Sequence, residues 1–331
     1  MTIQTETPTP TGASLRLPRI AMVILAVLAV SAACKADPAG TEQLERARDL
    51  VEGGKPDEAL PRFGEAILLI EDQELLAVAY GDRGQVFADL GRFDDAIADF
   101  DQAIDVNPNS ALAYARRGVA YANHGDPWVA LPDLDRAIEL DPKLGLARYG
   151  RGDVHLTTNR PELAIVDLDL AVEYLPNDYR AHYLRGGALY RLHRLEDAVD
   201  AFERTIELEP GEVDHYLVLA TTLFDLDRDE EARVRLDEAV VLAPADARPY
   251  AQRGSVLRYQ EHYEEALADF DKAVSLEPRN PELYLDRALT LFILERDDEA
   301  IDDLLRARGM HPSPDLRDVM TDLLAAHGVT R

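Results

Sequence analysis

Prolines recur at a fixed interval of 34 residues through most of this chain, at Pro108, Pro142, Pro176, Pro210, Pro244, Pro278 and Pro312. An alanine series, Ala96, Ala130, Ala164, Ala198, Ala232, Ala266 and Ala300, keeps the same step. A unit this short cannot bury its apolar face alone, so such a period restricts the chain to stacked copies of one supersecondary element. With units numbered 1 to 34 from residue 77, the proline falls at position 32 and other positions come into register. Position 8 is Gly84, Gly118, Gly152, Gly186, Ala220, Gly254 and Ala288, and position 24 is always Phe or Leu. Position 4 is mostly Tyr, and position 27 is Ala except at Thr205. Small residues at 8, 20 and 27 allow two antiparallel helices to approach closely, and large residues at 4, 11 and 24 fill the seam between them. The proline then stops the second helix.

This pattern resembles the tetratricopeptide repeat family, whose signature places aromatic, small and aromatic residues in the first helix (helix A) and Ala, Phe and Pro around the second (helix B). The resemblance covers residues 77–312 without a gap. It implies an all-α fold, a right-handed superhelical solenoid of helix hairpins forming one elongated domain. A degenerate first unit starts at Gly40, with Ala59, Phe63 and Ala66 at positions 20, 24 and 27 and Glu71 in place of the proline. Eight units are therefore expected over 40–312. A capping helix is expected over 313–328, with Ser313 as N-cap, Pro314 in the first turn and Gly328 past the end. Pro61 and Pro132 fall at position 22, inside helix B, where a bend is expected.

Ahead of the repeats, Arg16 and Arg19 precede an apolar run from Ile20 to Val30, followed by Ser31, Ala32, Ala33 and Cys34. A basic segment, a short apolar core and small residues describe a signal peptide over 1–33. The 14 uncharged residues from Ile20 to Ala33 fall short of a bilayer span. The end of this segment resembles the bacterial lipobox, which implies lipid attachment at Cys34, the chain's single cysteine, and a short tether over 34–39. The expected location is the cell envelope, lipid-anchored, with the outer membrane favoured in a diderm host because Lys35 is not an inner-membrane retention aspartate.

The formal net charge is -28. That field disfavours nucleic acid and anionic lipid headgroups and favours a basic or neutral protein partner, while also serving as a solubilising coat. Part of the acid has a local partner. Position 7 is Arg in most units and position 23 is Asp in most of the same units, as in Arg117 and Asp133, which predicts a bridge between helices A and B. One unit has Leu219 and Arg235 there instead. Another has Arg185 and Ala201, with Glu203 as the expected substitute acid.

The family resemblance implies that positions 2, 5, 9, 12 and 13 of helix A line a concave groove. Here those positions carry Tyr149, Leu156, Tyr183, Tyr190, Leu217, Phe224, Tyr259 and Phe292, an apolar and aromatic stripe that is the expected site for a partner protein segment. Arg180, Arg191, Arg248 and Arg258 are expected on the same face, available to a partner's carboxylates. The Lys and Asn pattern of carboxylate-clamp co-chaperones is missing, and position 6 lacks an asparagine ladder. The eight histidines are scattered, and no metal-binding or nucleotide motif occurs, so no catalytic residue, metal or cofactor is expected. The reading is a non-catalytic interaction scaffold of the bacterial cell envelope, by family analogy in assembly of a secretion, pilus or outer-membrane machine. The alternative is a cytoplasmic or inner-membrane-anchored structural scaffold that joins proteins through its acidic outer face.

Overall fold

A computed structural model describes residues 38–329. The expected signal peptide over 1–33, Cys34 and most of the tether lie outside the described residues. The described residues fold as seventeen α-helices with no strand. None of these helices is long and apolar enough to cross a membrane. The chain divides into two compact units at Thr158/Asn159, where one elongated domain was expected, and the division falls between the two helices of one repeat.

The first unit contains α1 (Pro38–Glu52), α2 (Pro56–Leu69), α3 (Gln73–Asp89), α4 (Phe93–Val106), α5 (Ala111–His124), α6 (Pro127–Leu140) and α7 (Gly145–Thr157). Helix α1 thus begins two residues before the expected start at Gly40. The second unit contains α8 (Pro161–Tyr174), α9 (Tyr179–Arg191), α10 (Leu195–Leu208), α11 (Val213–Phe224), α12 (Asp229–Leu242), α13 (Ala247–Tyr259), α14 (Tyr263–Leu276), α15 (Pro281–Ile293), α16 (Asp297–Arg308) and α17 (Pro314–Ala326). Within each unit, helices adjacent in sequence pack as hairpins, and each hairpin packs on the next. This is the arrangement of a helical-repeat solenoid, in which neighbours bury one another's faces.

The seam of each hairpin explains the small residues. A Cβ added at Gly118 would come within 2.7 Å of Leu134, and one at Gly186 within 2.6 Å of Phe202. Position 8 therefore sets how closely the two helices meet. Phe63, Phe100 and Phe270 at position 24 are all at most 1% exposed. Truncating one to Ala would cost about 3–5 kcal/mol.

Caps account for the helix boundaries. Ser110, Asp178, Asp246 and Asn280, all at position 34, accept a backbone N–H from the first turn of the following helix A. The prolines at 32 follow the last turn of helix B, and the carbonyls of those from Pro142 onward accept from a side chain of the next helix. The hydroxyls of Tyr216, Tyr250 and Tyr284 donate to the carbonyls of Pro210, Pro244 and Pro278 at 3.2–3.3 Å. Position 4 is thus both seam filler and latch. Pro61 and Pro132 sit inside α2 and α6, which continue through them. Ser313 caps α17, and Met320 and Leu324 on that helix are fully buried against the last hairpin.

The arginine at position 7 makes the expected bridge and a second one. Arg83, Arg117, Arg253 and Arg287 each grip the position 23 aspartate of their own hairpin with two hydrogen bonds of 2.7–2.8 Å. Those aspartates are 4–8% exposed, so the pairs are buried rather than superficial. Arg117, Arg253 and Arg287 also reach back to position 25 of the preceding hairpin, at Asp101, Asp237 and Asp271. Arg151 and Arg185 reach Asp135 and Asp169 in the same way. The assignment of Glu203 to Arg185 is therefore corrected. Position 25 faces the next hairpin, so Glu203 meets Arg235 at 3.1 Å. In that unit the arginine has moved from position 7 to 23 and still reaches back one hairpin.

Candidate partner-binding face

Helices α9, α11, α13 and α15 are the successive A helices of the second unit, and positions 12 and 13 lie in or just past their last turns. Aromatic residues at these ends meet from one helix to the next. The rings of Phe224 and Tyr259 pack edge to face, with centroids 5.1 Å apart. Tyr259 is 60% exposed and Ile293, at the same position one unit later, is 47% exposed. The Tyr190 hydroxyl donates to the carboxylate of Asp225. Burial, followed by that hydrogen bond, holds the Tyr190 hydroxyl well above its ordinary pKa.

The other expected groove residues are distributed differently. Tyr183 is half-buried between the rings of Phe202 and His215, at 5.9 and 5.5 Å, and burial raises its hydroxyl pKa. Leu217 is 5% exposed and belongs to the core, so it is corrected from groove lining to packing. Leu156, on α7 of the first unit, is 6% exposed and presents almost no surface either. Tyr149 is half-buried on α7, in the first unit. Phe292 is stacked under the imidazole of His327 at 3.9 Å, so the chain's own C-terminal segment covers one of its faces.

The arginines of this face are engaged within the chain, which corrects the expectation that they await a partner. Arg248 is held by Asp246 and Asp214, Arg180 by Asp178, and Arg258 by the side chain and carbonyl of Asp286. Burial raises the Asp286 carboxyl above the usual range despite that guanidinium. On α3 and α5 of the first unit the corresponding face is small and ionic. Gly81 and Ala115 are buried there, and Asp82 is gripped by Arg48 from one side and Arg116 from the other.

Sequence reasoning missed Asp225, His215 and His327, none of which stands at a position marked by the period. It also missed the residues at position 15, in the turn between the two helices. That series reads Gly91, Gly125, Asn159, His193, Asp227, Glu261 and Glu295, and the shift from glycine to acid was visible as a signal. Among the described residues no group of three or more His, Cys, Asp or Glu is placed to hold a metal ion.

Comparisons with known proteins agree with this geometry. A profile described as "Tetratricopeptide repeat" matches residues 120–178, 149–212, 183–250 and 252–313, and one described as "TPR repeat" matches 84–125. No curated protein matches the chain. Among solved structures, PilW, a type IV pilus biogenesis factor, is 18% identical with a TM-score of 0.57, covering 67% of this chain and 100% of its own. The pilF protein of Pseudomonas aeruginosa is 19% identical with a TM-score of 0.54, covering 65% and 98%. A repeat protein of Parabacteroides merdae is 20% identical with a TM-score of 0.51, covering 76% and 99%. At these identities the likeness speaks for the fold.

Proposed function

The chain belongs to the tetratricopeptide repeat family, whose members are protein-interaction scaffolds, and from that premise we propose that it tethers a partner protein to the bacterial cell envelope. The partner segment lies along the A-helix face of the second unit. The observation that carries this reading is the aromatic row around Phe224 and Tyr259, in which Phe224 is half-buried and Tyr259 exposed, since rigid, partly exposed rings on a folded surface are the usual anchors of protein interfaces. The envelope location rests on the segment from Arg16 to Cys34, with the thiol of Cys34 as the lipid attachment point. The setting, assembly of a secretion, pilus or outer-membrane machine, is taken from the family and from what PilW is described as doing.

Two measurements test the two parts separately. Palmitate labelling is expected in the wild-type chain and lost in Cys34→Ala; labelling that persists in the variant removes the anchor. Affinity capture from an envelope extract is expected to yield a partner with the wild type and not with the Tyr183→Ala, Tyr190→Ala, Phe224→Ala triple variant. A partner retained equally by both removes the aromatic face.

A further inference from the structure

The turns between helices A and B share one geometry throughout the described residues but not one residue type. The amide three residues past the helix bonds to a carbonyl five residues back, as in Arg92 to Phe87 at 2.8 Å in the first unit and His262 to Leu257 at 2.8 Å in the second. This places the intervening residue in the left-handed region, which glycine adopts freely and side-chain-bearing residues adopt at a cost. The first unit uses Gly54, Gly91 and Gly125 there. The second uses His193, Asp227, Glu261 and Glu295, with φ between 56° and 65°. Three strained turns one repeat apart therefore each carry a carboxylate.

These carboxylates stand two or three residues from the aromatic strip: Asp227 after Phe224, Glu261 after Tyr259, Glu295 after Ile293. Among the described residues none of the three has an ion-pair partner. The arginines nearest to them in sequence are taken, Arg228 by Glu231 and Glu196, and Arg296 by Glu299. Local crowding of acid is evident at Asp229, whose carboxyl is raised by burial and by the neighbouring charges of Asp227 and Glu230. The strip thus joins the half-buried ring of Phe224, the exposed ring of Tyr259 and the exposed Ile293 to negative charge that no cation among the described residues pairs.

Resting on the reading of this face as a partner site, we propose that the strip of Phe224, Tyr259 and Ile293 with Asp227, Glu261 and Glu295 docks a protein segment that alternates Arg or Lys with apolar residues. Charge complementarity selects this occupant. A second copy of a chain with a net charge of -28 is repelled, as is an acidic segment. A cation held at the edge of the strip also gains from the ring faces of Phe224 and Tyr259. Packed helices lie about 8–10 Å apart, which an extended chain crosses in about three residues. The segment therefore carries a cation at about every third position.

The test titrates the full chain into two fluorescein-labelled 12-residue peptides, four repeats of Arg-Leu-Ser and four of Glu-Leu-Ser, followed by anisotropy at low and high salt. The comparison protein is the Asp227→Gly, Glu261→Gly, Glu295→Gly triple variant. The wild type is expected to bind the arginine peptide, more weakly at high salt, and not the glutamate peptide. The triple variant is expected to bind the arginine peptide at least about tenfold more weakly, while its Tm rises because the turn strain is gone. Loss of binding with a gain in Tm cannot come from misfolding. No binding by the wild type, equal binding of the two peptides, or equal affinity in the variant overturns the proposal. Capture of the partner separates this from the broader reading. A partner kept by the glycine variant but lost by the aromatic triple variant removes the basic segment and leaves the face. A partner kept by both removes the face as well.

Discussion

The two units are built on one 34-residue period and use their A helices differently. In the first, the face carries Gly81, Ala115 and the Arg48–Asp82–Arg116 ion ladder, and its turns bend at glycine. In the second, the face carries rings, its arginines are already paired, and its turns bend at residues with side chains. Seam and caps are shared, so they specify the hairpin. Face and turn tip differ, so they are free to specify what a unit presents. The lesson is that in this repeat, recognition can be changed without disturbing the core.

The largest expected difference is between a hairpin with the buried arginine clamp, as in the first unit and at Arg253 and Arg287 of the second, and the one hairpin of the second unit where Arg185 lacks the acid at position 23. Arg117→Ala in the first unit strands the buried Asp133 and is expected to cost about 3 kcal/mol. Arg185→Ala in the second releases only the half-exposed Asp169 and is expected to cost less than about 1 kcal/mol. Urea denaturation of each variant checks this; equal losses would mean that burial of the acid does not set the value of the bridge.

Asp153 gives the next effect, confined to the first unit. Among the described residues it has no hydrogen-bond or ion-pair partner, and burial raises its carboxyl to about 6. A carboxyl raised in the folded state burdens stability above its folded pKa and ceases to do so below its unfolded value of about 3.9. Asp153→Asn is therefore expected to stabilise the protein by about 1–3 kcal/mol at pH 7, with the gain fading between pH 6 and about 4. Denaturation midpoints at pH 7 and pH 4 that shift equally would exclude ionisation as the cause.

Exchanging turn residues sharpens the comparison directly. Glu261→Gly is expected to gain about 1 kcal/mol and Gly91→Glu to lose about as much, since only glycine occupies the left-handed region without penalty. Thermal unfolding reads both, and a gain from each substitution would dismiss strain. The smallest effect is expected at Gly64, which stands at position 25 of the first hairpin where the next six hairpins have an acid and the last has Leu305. A Cβ there meets only Arg83 Nη1 at 3.8 Å. Gly64→Asp should add the missing second arm of the clamp, worth about 0.2–1 kcal/mol and reduced by salt.

Much of this was legible in the sequence because it repeats. The proline at 32, the small residue at 8 and the Arg–Asp pairing at 7 and 23 each recur with the period, and the hairpins follow. The capping segment was legible for a different reason: Ser313, Pro314 and Gly328 have local, stereochemical roles at a helix's ends. What failed involved contacts that break the period. Glu203 was given to its own hairpin when it serves the next, and Leu217 was placed on the face when the core covers it. The acids at position 15 were in plain view, but their meaning depended on a backbone angle that sequence does not state.

By itself the sequence determined the hairpin, its repetition and its acidic character, because period, proline stereochemistry and net charge are properties of the chain read along its length. Only the tertiary structure decided which side chains of helix A remain at the surface, which arginines are already spent on neighbouring carboxylates, and where the backbone bends through a left-handed residue. The first two depend on side chains 16 to 35 residues apart meeting in space, which is settled by the packing of one helix against the next, and the third on a turn closed by an amide and a carbonyl five residues apart.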